Sequence, residues 1–399
     1  MQPIEIQPNI FWIGVNDRST KLFEGLWPIE KEGISYNSYL IKDKKSVLID
    51  LCKELFQDEY LNELKSLIDP SKIDYLVINH MEPDHSGAIQ AFRAIAPQAK
   101  ILATGKAVQM MADFFGISEN IQPIKDGEKI SLGEKELMFI TAPMVHWPET
   151  MMTFETSSQI LFSCDAFGGY GTLSDGIFDD DYADLTYFKQ ESLRYFSNIV
   201  AAFSKPVLNA GTKLAKIAIK TVAPSHGLIW RKSPERILEL YVKWSGFSKG
   251  PAERGVTLLY GSMYGNTLKM VPAILKGLEK ADIPIKTHDI TTTHISYILP
   301  DVWVNQGVMI GAPTYEGSIF PTMAAVLQMF NFKRIFNRHG AYFGSYGWGG
   351  GATRYLKTQF ETLKWDLVES LEFPGQPTQK DLTSASDFSE RFGATIKNI

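Results

Sequence analysis

The chain has 399 residues, 44% of them hydrophobic and 21% charged, and carries a net charge of −5 from 40 basic and 45 acidic side chains. That length exceeds one ordinary core and predicts two domains of a soluble globular protein. The charge balance gives no basic face to nucleic acid or an anionic membrane, so neither is expected as a partner. No apolar stretch is long enough for a transmembrane helix, and Met1-Gln2-Pro3-Ile4-Glu5 has no signal-peptide pattern. The cytoplasm is the expected compartment. Two cysteines, Cys52 and Cys164, make no disulfide framework and exclude a four-cysteine iron or iron–sulfur site.

The first chemically loaded segment follows the apolar run Tyr75-Leu76-Val77-Ile78, which reads as a buried strand. It is His80-Met81-Glu82-Pro83-Asp84-His85, with potential ligands at His80, Glu82, Asp84 and His85. Imidazole and carboxylate together suit first-row metals such as iron, zinc and manganese. Pro83 argues against a helix through the cluster, so a loop at a strand end is expected. A solvated polar turn is the simpler reading of these residues taken alone.

The rest of the first half repeats the pattern. Leu137-Met138-Phe139-Ile140 precedes His146, Gln159 to Cys164 precedes Asp165, and the mostly apolar run Ile217 to Val222 precedes His226. An acidic residue closing an apolar strand is costly unless paired or metal-bound. Singly, such an Asp often caps a helix and such a His is a satisfied polar group. Jointly, four of the 7 histidines and three carboxylates share one kind of position, as in a site built from strand ends. A long helical segment from Lys189 follows and carries Tyr195.

A domain boundary is expected in the Pro/Gly-containing stretch Phe247 to Arg254, dividing the chain into residues 1–250 and 251–399. Beyond it, Gly255 to Tyr260 reads as a strand, Gly261-Ser262-Met263-Tyr264-Gly265-Asn266-Thr267 as a loop, and Leu268 to Lys280 as an amphipathic helix. That geometry aims amides and hydroxyls at a phosphate. The loop lacks the Gly-Lys-Ser/Thr ending of a nucleoside-triphosphate loop and the dinucleotide glycine pattern. Two further strand-end loops, around Pro313-Thr314-Tyr315-Glu316-Gly317 and Ser345-Tyr346-Gly347-Trp348-Gly349-Gly350, bring aromatics and glycines to where open α/β sheets bind ligands.

The metal-type constellation resembles the metallo-β-lactamase fold, whose usual motif is His-x-His-x-Asp-His followed by a distant His, an Asp and a final His. Glu82 stands where the second His would be, and a harder, anionic ligand suits iron better than zinc. With His146-Trp147-Pro148 and Pro224-Ser225-His226-Gly227, the chain resembles the flavodiiron protein family over nearly its whole length. The resemblance implies an α/β architecture: an N-terminal metallo-β-lactamase-like αββα sandwich, then a flavodoxin-like, doubly wound, parallel five-stranded sheet of order 2-1-3-4-5.

It further implies two iron ions, one held by His80, Glu82 and His146, the other by Asp84, His85 and His226, with Asp165 bridging. The position of His85 is ligating in some members and displaced in others. FMN is implied in the three loops named above, although Tyr264 replaces a hydroxyl residue of the usual phosphate loop. Tyr195 and Glu24 align roughly with positions lining the substrate pocket, Glu24 standing where some relatives carry His; the alternative for both is an ordinary surface polar group. The implied activity is reduction of O2 to water or of NO to N2O. Electrons would come from an external donor: rubredoxin, another flavoprotein or reduced coenzyme F420. A head-to-tail homodimer, or a dimer of dimers, would set one subunit's FMN against the other's iron, with Trp147 and Trp348 as candidates near that interface; the alternative is that both simply pack, which is the favoured reading for Trp147. Two other readings are a zinc hydrolase of the lactamase fold with a flavodoxin-like accessory domain, and a pure electron carrier on a dead scaffold.

Overall fold

Strand Ile34–Ile41 is buried at all eight positions, which places it inside a sandwich rather than on a half-solvated sheet. The computed structural model describes residues 2–250 and 252–399. Met1 and Pro251, which figure in the readings of the N-terminus and of the boundary, lie outside them. The chain forms two compact units, Met1–Val242 and Lys243–Ile399. Among the described residues no helix is long and apolar enough to cross a membrane.

The first unit stacks two sheets. One runs Ile4–Gln7, Ile10–Asp17, Ile34–Ile41, Ser46–Ile49, Ile73–Val77, Lys100–Thr104, Ile121–Ile124 in both spatial and chain order. The other runs Lys129–Ser131, Glu136–Thr141, Met151–Glu155, Ile160–Cys164, Thr221–Pro224. Their inner faces meet where the Tyr39 and Phe162 rings lie 4.8 Å apart. Two buried polar bonds cross the same seam: the Tyr39 hydroxyl donates to the Pro224 carbonyl at 2.6 Å and Asn37 Nδ2 donates to it at 2.9 Å. Helices cover the outer faces. Helix Gly105–Phe115 starts where Thr104 Oγ1 accepts the Ala107 amide and stops at left-handed Gly116.

Two local expectations need correction. Asp84 and His85 lie in a one-turn helix, Pro83–Ser86, not in an open loop. Pro83 occupies its first position, where the missing N–H costs nothing and the fixed φ suits a helix. Before His226, the strand is only Thr221–Pro224, because residues 217–220 turn out of the sheet.

The second unit is a parallel sheet of order Ile285–Asp289, Glu253–Tyr260, Asn305–Gly311, His339–Tyr346, Asp366–Pro374, which in chain order is 2-1-3-4-5. Helices Asn266–Lys280 and Gln379–Asn398 bury Met270, Ile274, Phe388 and Phe392 against Val256, Leu258, Met309 and Phe343 on one face. The two helices approach closely at Gly277, where any Cβ would collide with the Ser386 backbone carbonyl and the Ser389 hydroxyl. The three sites expected to bind a flavin all fall at the carboxyl ends of the three middle strands.

Candidate metal centre and flavin cleft

Each candidate metal ligand sits just past a strand of the first unit, so the sandwich brings distant residues to one edge. The short helix after Ile73–Val77 supplies Asp84 and His85. His146 follows Glu136–Thr141, Asp165 follows Ile160–Cys164, and His226 follows Thr221–Pro224. All seven candidates converge, in groups of His80, Glu82, His146, Asp165 and of Asp84, His85, His226.

Asp165 divides its two oxygens between the groups. Its Oδ2 lies 3.2 Å from both His80 Nε2 and His146 Nε2. Its Oδ1 lies 2.8 Å from His85 Nε2 and 3.4 Å from His226 Nε2. Glu82 Oε2 is 3.0 Å from His146 Nε2 and 3.3 Å from His80 Nε2. Asp84 Oδ2 is 3.3 Å from His226 Nε2, and Asp84 Oδ1 is 3.4 Å from His85 Nε2.

The electrostatics of this knot suit cations. Both oxygens of Asp84 and of Asp165, His85 Nε2 and His226 Nε2 face one another at these distances without hydrogen-bond geometry, and His85 Nδ1 is buried with no partner at all. Orphaned buried atoms of this kind are costly unless something coordinates them. Burial pulls His80, His146 and His226 toward the neutral form, but neighbouring carboxylates outweigh it. His226 is pushed up to about 10 by Asp165 and Asp84, and His146 to about 9 by Asp165 and Glu82. Asp165 moves far below the usual carboxylate range, because the surrounding histidines overcome its burial. With no cation among them these groups favour shared protons, and metal uptake would release them.

Of the remaining predicted residues, Tyr195 packs against a candidate ligand and Glu24 lines a cavity beside the site. Tyr195 is fully buried at the end of helix Thr186–Tyr195, its ring 5.4 Å from that of His226, and its hydroxyl has no partner. Glu24 accepts from Trp27 Nε1 at 2.9 Å. Burial, and then the Glu82 charge, push its carboxyl up to about 7. Glu24 shares a cavity of about 290 Å³ with Phe23, Tyr36, Lys53, Glu82 and Asp84.

Several contributors were missed from sequence. Asp50, itself in left-handed backbone, accepts the Asn79 amide at 2.7 Å and its side chain at 3.0 Å, and Asn79 Oδ1 accepts from Thr153. This chain of bonds ties strand ends of both sheets beneath the site. Cys164 also takes a left-handed φ of 54° just before Asp165, a strained conformation that recurs at functional sites. Glu149, three residues after His146, bonds His80 Nδ1 at 2.7 Å. Its signal was the His146-x-x-Glu149 spacing, which has no meaning until the two loops meet.

In the second unit a cleft of about 350 Å³ is lined by Ser262, Met263, Tyr264, Asn266, Pro313, Thr314, Tyr315, Glu316, Ser345, Tyr346, Gly347 and Trp348, joined by Gly375, which was not anticipated. Its volume lies in the range of small-molecule sites. Ser345 and Tyr346 belong to the end of the strand rather than to the loop. Gly265, with φ 86°, turns the chain into helix Asn266–Lys280 and donates to Ser262 Oγ at 3.0 Å. Thr267 bonds Ser345 at 3.1 Å beneath the cleft. Gly317, Gly349 and Gly350 lie in the adjoining turns. Trp348 is 99% exposed and Tyr264 88%, so both rings stand free at the rim. The helix start, three adjacent strand ends and free aromatic rings fit a flavin phosphate and ring.

Fold and site define a lactamase-like metal-binding unit followed by a flavodoxin-like unit. Residues 34–227 match the ODP family beta lactamase model and residues 258–388 match flavodoxin. The chain is 34% identical to a nitric oxide reductase of Moorella thermoacetica, over 99% of both chains. It is also 34% identical to an anaerobic nitric oxide reductase flavorubredoxin of Escherichia coli, over 95% of this chain and 79% of that one. Among solved structures it superposes on rubredoxin oxygen:oxidoreductase from Desulfovibrio gigas with a TM-score of 0.94, at 28% identity over 100% of this chain and 99% of that one. The flavodiiron protein from Giardia intestinalis gives 0.93, at 26% identity over 100% and 97%. The chain belongs to the flavodiiron protein family of oxidoreductases.

Proposed function

We propose that this chain is a cytoplasmic reductase that uses two irons and FMN to convert NO to N2O, O2 to water, or both, with electrons from an external donor. The single observation that carries the reading is Asp165, whose two oxygens each face a separate group of histidine and carboxylate ligands. Residues 1–250 would hold iron through His80, Glu82 and His146 and through Asp84, His85 and His226. Residues 251–399 would hold FMN. When bound, the irons supply redox-active coordination positions and FMN supplies electrons in pairs, which suits two electrons for two NO or four for O2.

The chain's own residues shape what reaches those positions. Phe23 and Tyr195 pack around His226, with ring centroids 5.6 Å and 5.4 Å from it, and keep that side of the site dry. The Tyr195 hydroxyl stays protonated, because burial and the charges of Asp165, Asp84 and Glu82 all raise its pKa far above the ordinary value. It is therefore a donor whose proton no protein group accepts. Glu24, with its carboxyl pushed up to about 7, and Lys53 line the same cavity.

A head-to-tail dimer accords with two surfaces. The flavin rim exposes Trp348 and Tyr264, and beside the metal site an apolar groove exposes Leu55 and Phe114. Glu82 in place of a histidine speaks against the zinc-hydrolase alternative. The test is metal and flavin analysis of the purified protein, with anaerobic NO uptake and O2 uptake under one chemical reductant. Two irons, one FMN and consumption of either gas support the reading. Two zincs, or an iron- and flavin-loaded protein that consumes neither gas, would end it.

A further inference from the structure

The inner nitrogens of His80, His85 and His226 face the same knot of carboxylates, but their outer nitrogens are supported unequally. His85 Nδ1 is buried and has no partner. His226 Nδ1 faces the neutral backbone carbonyl of Ser35 at 2.7 Å. His80 Nδ1 faces a full carboxylate, Glu149 Oε1, at 2.7 Å, and both side chains are completely buried.

Glu149 is held in place through both its side chain and its backbone. Its Oε1 also accepts the Met81 amide at 2.9 Å. Its backbone carbonyl accepts from Thr104 Oγ1 at 2.8 Å, at the end of strand Lys100–Thr104. Its neighbour Thr150 places Oγ1 3.4 Å from the same Nδ1. Yet Glu149 Oε2 is buried without a partner. A buried carboxylate with one unsatisfied oxygen is an expensive way to fill space. An amide or an apolar side chain would pack at lower cost, so the charge itself has a use. A carboxylate that accepts from Nδ1–H fixes the tautomer, leaves Nε2 free, and raises the donor strength of the ring toward a metal. His80 Nε2 points at Glu82 Oε2 and Asp165 Oδ2, at 3.3 Å and 3.2 Å.

We propose that Glu149 is a positioning residue of the metal centre: it holds His80 in the Nε2-donating tautomer and makes the position served by His80, Glu82 and His146 the more electron-rich of the two. This rests on reading the site as a metal centre. Glu149 touches neither substrate nor metal and acts only through His80. Because Glu149 lies in the loop of His146 and bonds the segment of His80, one side chain also holds two ligands of that position in register.

The experiment uses the full chain, loaded anaerobically with ferrous iron. Glu149→Gln keeps an acceptor oxygen for the Met81 amide and for His80 Nδ1–H while removing the charge. Glu149→Asp keeps the charge at a shorter reach, and Glu149→Ala removes both. Chelator competition should show iron affinity at one position falling 10–100-fold in Glu149→Ala, the usual cost of such a partner. The loss should be smaller in Glu149→Gln, with partial rescue in Glu149→Asp. In a potentiometric titration followed by electron paramagnetic resonance, Glu149→Gln should shift one iron to a more positive potential. A tenfold change in relative ferric and ferrous affinity reads there as about 59 mV. If Glu149→Ala does not fold, Glu149→Gln carries the test alone. A Glu149→Gln protein with unchanged affinity and potential, or with both positions weakened equally, overturns the proposal while leaving the metal centre intact. Wild-type protein that binds no iron in the same assay overturns the reading beneath it.

Discussion

Replacing Tyr195 by Phe should make the protein slower and more stable at once. The ring of Tyr195 packs against Tyr170, Phe23 and His226 at centroid distances of 5.2, 6.2 and 5.4 Å, and Phe would keep every one of those contacts. The change is confined to one hydroxyl, fully buried and without a partner. An unsatisfied buried hydroxyl costs about 1–3 kcal/mol, part of which the free pocket recovers by relaxation, so a net gain of about 1 kcal/mol is the working figure. For a unit of this size that corresponds to a Tm increase of about 2–4 °C. If the hydroxyl donates to substrate, its loss removes a bond worth about 0.5–1.5 kcal/mol, a fall in turnover of about 2- to 12-fold. The assay pairs thermal unfolding of the metal-loaded protein with anaerobic NO and O2 uptake, at equal iron and FMN content. A lower Tm would mean that the hydroxyl has a partner in the folded protein. Unchanged turnover with both gases would mean that it never meets substrate. Either result refutes the reasoning.

Three other outcomes follow from geometry already described. His85→Asn should cost less iron affinity than His226→Asn, measured by chelator competition, because His226 is braced through Nδ1 by the Ser35 carbonyl and His85 is braced by nothing. Gly277→Ala should destabilise the flavodoxin-like unit by about 1–3 kcal/mol, read by denaturant unfolding, since the new methyl has no space beside Ser386. Trp348→Ala should leave the stability of the flavin-free protein within about 0.5 kcal/mol, because the side chain is 99% exposed. It should weaken FMN binding by about 2- to 12-fold if the ring stacks on the flavin, measured by flavin fluorescence quenching.

The candidate ligands were legible because each follows an apolar run, and burial of both strand faces writes such runs into the sequence. His146, Asp165 and His226 could thus be placed at strand ends without knowing which strands pair. The helix at Pro83–Ser86 was not legible, since a proline signals a helix start as readily as a stop, and only the tertiary setting of Asp84 and His85 decides. The strand before His226 is shorter than its apolar run, because Ile217 to Lys220 have apolar content but leave the sheet. Most obscure were the supports. Glu149 meets His80 across 69 positions, and Asp50 meets Asn79 across 29. Such pairings carry no local period, and a lone acidic residue looks the same whether it faces solvent or braces a histidine. Tyr195 lay in a readable helix, but that its hydroxyl would be left without a partner depends on three separate elements closing around it.

The division of Asp165 between two groups has a consequence for how the protein fills. A cation seated among His80, Glu82 and His146 would take up part of the Asp165 charge that also faces His85 and His226, so filling one seat would change the affinity of the other. A stepwise iron titration would read that coupling as the share of singly loaded molecules at one iron per chain. A sample assayed at that ratio would be a mixture of loading states, and its specific activity would report their proportions rather than the competence of one centre.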